Sequence, residues 1–89
     1  MRLDVFLKAS RVCPRRTVAQ KICDAGRVMI NGNVAKSAHS VKVGDEITIQ
    51  TQTRIKSVRV VNVPDSRQTS RKEATNLIEV LDDHALPTD

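Results

Sequence analysis

Aromatic side chains are almost absent. Phe6 is the one aromatic residue among 89, with no Trp and no Tyr. Proteins that hold single-stranded nucleic acid stack its bases on aromatic rings, so that mode is excluded here. A nucleic-acid partner would have to be read through its phosphates and the shape of a folded or double-stranded target. Cysteine is nearly as scarce. Cys13 and Cys23 lie ten residues apart, which is neither a zinc spacing nor a small disulfide framework. Cys23 reads as a buried small hydrophobe. His39 and His84 are far apart and suggest no ligand cluster. No metal or other cofactor is expected, and no His, Cys and carboxylate set has a catalytic spacing, so no enzyme is expected. No apolar run approaches the length of a membrane span, and the N-terminus lacks the apolar core of a signal peptide. The expectation is a cytoplasmic protein without a membrane partner.

What is present is positive charge, unevenly placed. The formal net charge is +5 and the sequence pI about 9.8. Residues 1–27 carry seven Arg/Lys against two Asp/Glu, and residues 28–64 carry five against two. Residues 65–89 carry three against six. The front two-thirds is basic and the tail acidic, a division that suggests a polyanion partner. A chain this short buries roughly 60–65% of its unfolded surface. It can hold a rigid face in place, but has little room for a catalytic cleft.

Leu3, Phe6 and Leu7 recur at helical spacing, with Asp4 in the first turn where a negative charge suits the helix dipole. Pro14 is placed to start a second helix, with Val18, Ala19, Ile22 and Cys23 as its apolar stripe and Gly26 to end it. Arg16, Gln20, Asp24 and Arg27 line the opposite face; Arg15 sits beside them at the N-terminus, which attracts anions. Arg11 lies in the preceding connection. Asn31-Gly32 between short apolar runs predicts a tight hairpin. Lys42-Val43-Gly44-Asp45 reads as a turn, and Glu46–Gln50 alternates with Ile47 and Ile49 on one side. Residues 55–63 read as a last strand. Pro64-Asp65-Ser66 breaks the sheet. Ser70-x-x-Glu73 resembles a capping box, and Ala74, Leu77, Ile78 and Leu81 follow at helical spacing, predicting a third helix over 70–82 that docks on the body. The end, from His84, reads as frayed. Residues 1–64 and an acidic extension, 65–89, form the expected division.

Four blocks occur in order: Arg2-Leu3-Asp4-x-Phe6-Leu7, Arg15-Arg16-x-x-Ala19, Gly26-x-Val28-x-Ile30-Asn31-Gly32, and Val43-Gly44-Asp45. Over residues 1–50 the chain resembles the RNA-binding domain named after small-subunit ribosomal protein S-four. The resemblance implies an α+β fold, with two N-terminal helices on a small, mainly antiparallel sheet and a C-terminal helix. The short chain is similar to stand-alone members, the RqcP type of bacterial ribosome quality control and the fifteen-kilodalton heat-shock protein. Its length, its Arg15-Arg16 pair and its short acidic tail favour the RqcP type.

That resemblance implies a monomer that binds the large ribosomal subunit carrying obstructed peptidyl-tRNA. It would contact large-subunit rRNA and tRNA and work beside an RqcH-type alanine-tailing factor. By the same match Arg2, Arg15 and Arg16 are central RNA contacts, and Arg27, Asn31 and Lys36 extend the surface from the hairpin. Asn31 has a competing and blander role as a turn former. Arg11, Lys21 and Lys42 are rim charges, and Asp4 is an organiser that pairs with an arginine or the helix start. Alternatives are a heat-shock-type recycling factor, a DNA-binding regulator whose two helices mimic a helix-turn-helix, and a protein-docking module using the C-terminal helix.

Overall fold

The computed structural model describes residues 1–64 and 76–87. Helices α1 (Leu3–Ala9) and α2 (Arg16–Asp24) pack on a five-stranded sheet of β1 (Val28–Ile30), β2 (Asn33–Val34), β3 (Glu46–Gln50), β4 (Arg54–Val60) and β5 (Ile78–Ala85). The strand order is β2-β1-β3-β4-β5 and every pairing is antiparallel.

Helix α1 starts without a side-chain N-cap. Its first amides are met from elsewhere: Leu3 N–H donates to His39 O at 2.8 Å, Asp4 N–H to Ser37 O at 3.2 Å and Val5 N–H to Asp4 Oδ1 at 2.8 Å. The loop after the hairpin thus supplies two of the acceptors that an isolated helix would seek from a cap. This ties the loop to the start of α1.

Helix α2 begins at Arg16, with Arg15 as the extended N-cap residue. Pro14 therefore precedes the cap and is not the first helical residue as expected. Gly26, at φ 74°, follows the C-cap. Gly26 N–H reaches Cys23 O and Arg27 N–H reaches Ile22 O, both at 3.0 Å, the paired bonds of a Schellman ending. Of the predicted apolar stripe, Ala19 and Cys23 are buried, while Val18 is 37% exposed.

The hairpin turn is Asn31 (φ 52°) and Gly32 (φ 86°), the left-handed pair of a two-residue type I′ loop. Cross-strand rows order the helix-facing side. One row is Ile30, Ile47, Val58 and Val80; the next is Val28, Ile49, Lys56 and Asp83. Val80 at the sheet edge is exposed, while Ile30, Ile47 and Val58 of the first row, with Leu3, Phe6, Leu7 and Val60, form the centre of the core. Cys13 and Cys23 are both buried free thiols in it. Burial pushes the Cys13 thiol up and the Cys23 thiol up to about 11, so both are neutral packing groups at neutral pH.

The predicted helix over 70–82 is corrected by β5. Residues 78–82 are extended and paired with β4, and residues 70–75 lie outside the described residues. Backbone groups along β4 need partners on the side away from β3, and β5 supplies them. Ile78 opposite Val60 and Val80 opposite Val58 add apolar pairs. His84, expected to fray, lies within the strand and faces Ile55. Strand β4 also ends at Val60, short of the predicted Val63.

Candidate nucleic-acid interface

Asp4 is fully buried, yet it is charged and central. Its Oδ1 accepts from Val5 N–H and from Arg2 Nε at 3.2 Å. Its Oδ2 accepts from Arg16 Nε at 3.1 Å, Gln20 Nε2 at 3.0 Å and Arg2 Nη2 at 3.4 Å. One carboxylate therefore gathers the start of α1 and one flank of α2. Burial alone pushes the Asp4 carboxyl up. The bonds from Arg16, Gln20 and the Val5 amide, with the Arg2 charge, outweigh it and hold the carboxyl below its ordinary value.

The partners are not buried with it. The Arg2 side chain is 46% exposed and that of Arg16 40%. Within the described residues Arg16 donates only through Nε, and Arg2 through Nε and Nη2. Terminal nitrogens on both guanidiniums remain available for a second acceptor. Fixing one edge of a guanidinium in this way leaves a planar donor group already aimed, which suits two-oxygen recognition of phosphate.

Arg15 is exposed at the N-cap of α2, where backbone amides and the helix dipole favour an anion. Arg11 is exposed and held at φ 61° just after the C-cap of α1. A left-handed conformation costs a residue with a Cβ roughly 1–2 kcal/mol, and glycine is the usual occupant. Lys36 is exposed beside Ser37, whose carbonyl takes the Asp4 amide. Lys21 and Lys42 are exposed as well. Arg27 is half-buried just before β1 and is not among the hydrogen-bond or ion-pair partners of Asp4.

Asn31 has a different environment. Its Nδ2 donates to Asp45 Oδ1 at 3.2 Å and its Oδ1 accepts Glu46 N–H at 3.0 Å. Asp45 Oδ2 in turn accepts Lys42 N–H at 2.9 Å. Its side chain is thus engaged in joining two turns. Gln20 is the functional side chain that sequence reasoning left without a role. Its spacing of four from Arg16 was the available signal, since both reach one acceptor from one flank of the helix. No cluster of His, Cys, Asp or Glu among the described residues suits a metal ion.

A family model for the S4 domain matches residues 1–47. Over 86 residues the chain is 43% identical to the RQC P-site tRNA stabilizing factor of Bacillus subtilis, covering 97% of this chain and 98% of that protein. The chain belongs to the RQC P-site tRNA stabilizing factor family. A second member of the family, from Halalkalibacterium halodurans, is 48% identical over 81 residues, 90% of this chain and 89% of that one. Among solved structures, the trimeric heat shock protein 15 of Vibrio cholerae superposes with a TM-score of 0.80 at 31% identity, covering 90% of this chain and 80% of that one. The S4 match in this family member takes in the Asp4 cluster, both turns and the start of β3. Strands β4 and β5 lie beyond it.

Proposed function

We propose that this chain is a non-catalytic RNA-binding factor of ribosome quality control. In this reading it binds the large ribosomal subunit that holds an obstructed peptidyl-tRNA, contacts both rRNA and tRNA, and steadies the tRNA while an RqcH-type factor adds alanine. The observation that carries the reading is the buried Asp4 carboxylate holding Arg2 and Arg16 half-exposed on one surface. The relatives' name, a stabilizing factor for P-site tRNA, supplies the target. Phosphate contacts give affinity and orientation, and the RNA's folded shape gives selectivity. Arg15, Arg11 and Lys36 extend the contact, with Arg27 and Asn31 at its margin. Residues 1–64 carry this activity and 65–89 form an acidic extension. The protein acts as a cytoplasmic monomer. No helix of the described residues is long and apolar enough to cross a membrane.

The test is Arg16→Ala. Losing a charge-assisted contact costs about 1.5–3 kcal/mol, roughly ten- to a hundredfold in affinity. The variant is expected to stay folded by circular dichroism and to lose co-sedimentation with large subunits. Sequencing the RNA bound to the tagged wild type is expected to return large-subunit rRNA together with tRNA. A folded variant that sediments normally would remove Arg16 from the contact. A second reading is the heat-shock-type recycling factor that the family resemblance implies, supported by the likeness in fold to heat shock protein 15. Alanine tails that persist undiminished in a deletion strain would select it.

A further inference from the structure

On the flank of α2 away from the Asp4 cluster lies a groove of about 320 Å³. Its apolar lining comes from Val12, Pro14, Val18, Ile22 and Ile49. Cys13 adds a thiol that burial keeps neutral. The sheet register explains why the groove is open. The row Val28, Ile49 continues into Lys56 and Asp83, so a lysine stands where the neighbouring row places Val58. Lys56 is half-buried in the groove wall and forms no ion pair among the described residues. The nearby Asp83 carboxylate is taken by Arg54, whose Nη2 and Nε donate to Asp83 Oδ1 at 2.8 and 3.1 Å.

We propose that this groove docks a protein segment presenting one large apolar side chain beside a carboxylate, the apolar group seated between Val18 and Ile49 and the carboxylate on Lys56. Two cations, Arg54 and Lys56, stand in the groove wall against the single carboxylate of Asp83, which is Lys56's cross-strand partner and is hydrogen-bonded by Arg54, so the wall keeps a net positive charge that an incoming carboxylate would answer. An aliphatic lining suits an aliphatic or aromatic side chain. It suits a nucleobase poorly, because no aromatic ring is available to stack on it and its polar edges would meet Val, Ile and Pro. The groove and the arginine cluster occupy opposite flanks of one helix, so protein and RNA can be held at once across α2.

The experiment uses the full chain, labelled with nitrogen-15 and kept reduced. It is titrated with three probes: a short helical peptide carrying one leucine flanked by glutamates, the same peptide with lysines for glutamates, and a structured RNA hairpin. The glutamate peptide is expected to shift the amides of Val12, Val18 and Ile49. Lys56→Glu is expected to weaken that peptide by about fivefold, the upper range for an exposed ion pair, and to strengthen the lysine peptide in exchange. Val18→Lys, at an exposed position, is expected to weaken the glutamate peptide without unfolding the chain. Equal binding of the two peptides by wild type, or no shift at the groove with either, overturns the proposal. So does a groove that responds to the RNA hairpin alone. The hairpin reports on Arg2 and Arg16 separately, so failure at the groove is distinguishable from failure of the RNA-binding reading.

Discussion

Asp4 illustrates how one buried charge can be both structural and functional. It accepts five hydrogen bonds from four residues, enough to hold a carboxylate ionised inside a core. Because its folded carboxyl lies below the ordinary value of 3.8, its contribution to stability is fully present above that value. It is lost as pH falls through the lower, folded value. Asp4→Asn keeps the shape and removes the charge. It should cost about 2 kcal/mol at pH 7, or roughly 8–16 °C in Tm for a domain of this size. The gap between variant and wild type should narrow as thermal melts are taken from pH 7 down through pH 4 and below. A gap that stays constant over that range would mean the Asp4 charge does not support the fold. The residue types of this cluster stand in the sequence, Arg2 and Asp4 two apart and Arg16 and Gln20 four apart. Their meeting on one carboxylate does not, because it depends on how α2 docks against α1. A solvated arginine line and a half-buried one have the same spacing.

Elements differed in how openly their sequences declared them. The Asn31-Gly32 hairpin and the Gly26 helix ending were legible because each needs a left-handed backbone that few residues accept. The last strand was not legible, and the reason is a bulge. The register between β4 and β5 shifts at Ser57/Val58, which leaves Val80 and Leu81 adjacent and breaks the alternation that marks a strand. With Ala74, Leu77 and Ile78 before them, the same residues fall at helical spacing. Pairing with β4 decided the conformation, as strand preference follows context more than residue type. For the first hairpin the side chain of Asn31 adds a second constraint, bridging Asp45 and Glu46. Asn31→Ala is expected to lose about 1–2 kcal/mol from the left-handed backbone alone, read as a lower midpoint in urea. Asn31→Gly should recover most of that loss. If RNA affinity at low temperature follows the same order as stability, the residue serves the turn; an affinity lost in both variants would make its amide a contact.

For the molecule as a whole, the placement of ion pairs matters more than the net charge of +5. In the β4–β5 ribbon the cations are largely answered within the chain. Arg54 pairs with Asp83 at 2.8 Å, and Arg59 lies 3.5 Å from both Glu46 and Glu79. These exposed pairs contribute little stability, but they lower the positive potential at that end. At the other end Arg2 and Arg16 share a single carboxylate, so the cluster keeps a net positive charge. Arg15 adds to it from the cap of α2. A polyanion should therefore meet the helical end. If Arg2, Arg11, Arg15, Arg16, Arg27 and Lys36 each neutralise one phosphate, the slope of log affinity against log salt should be roughly −4.2 to −5.4. Arg16→Ala should make that slope shallower by about 0.7–0.9, while Arg59→Ala should leave it unchanged. Filter binding of a structured RNA across a salt series reads both. An equal change from the two variants would mean the ribbon also faces the RNA, and a flat response in the wild type would point to a partner held by apolar contact instead.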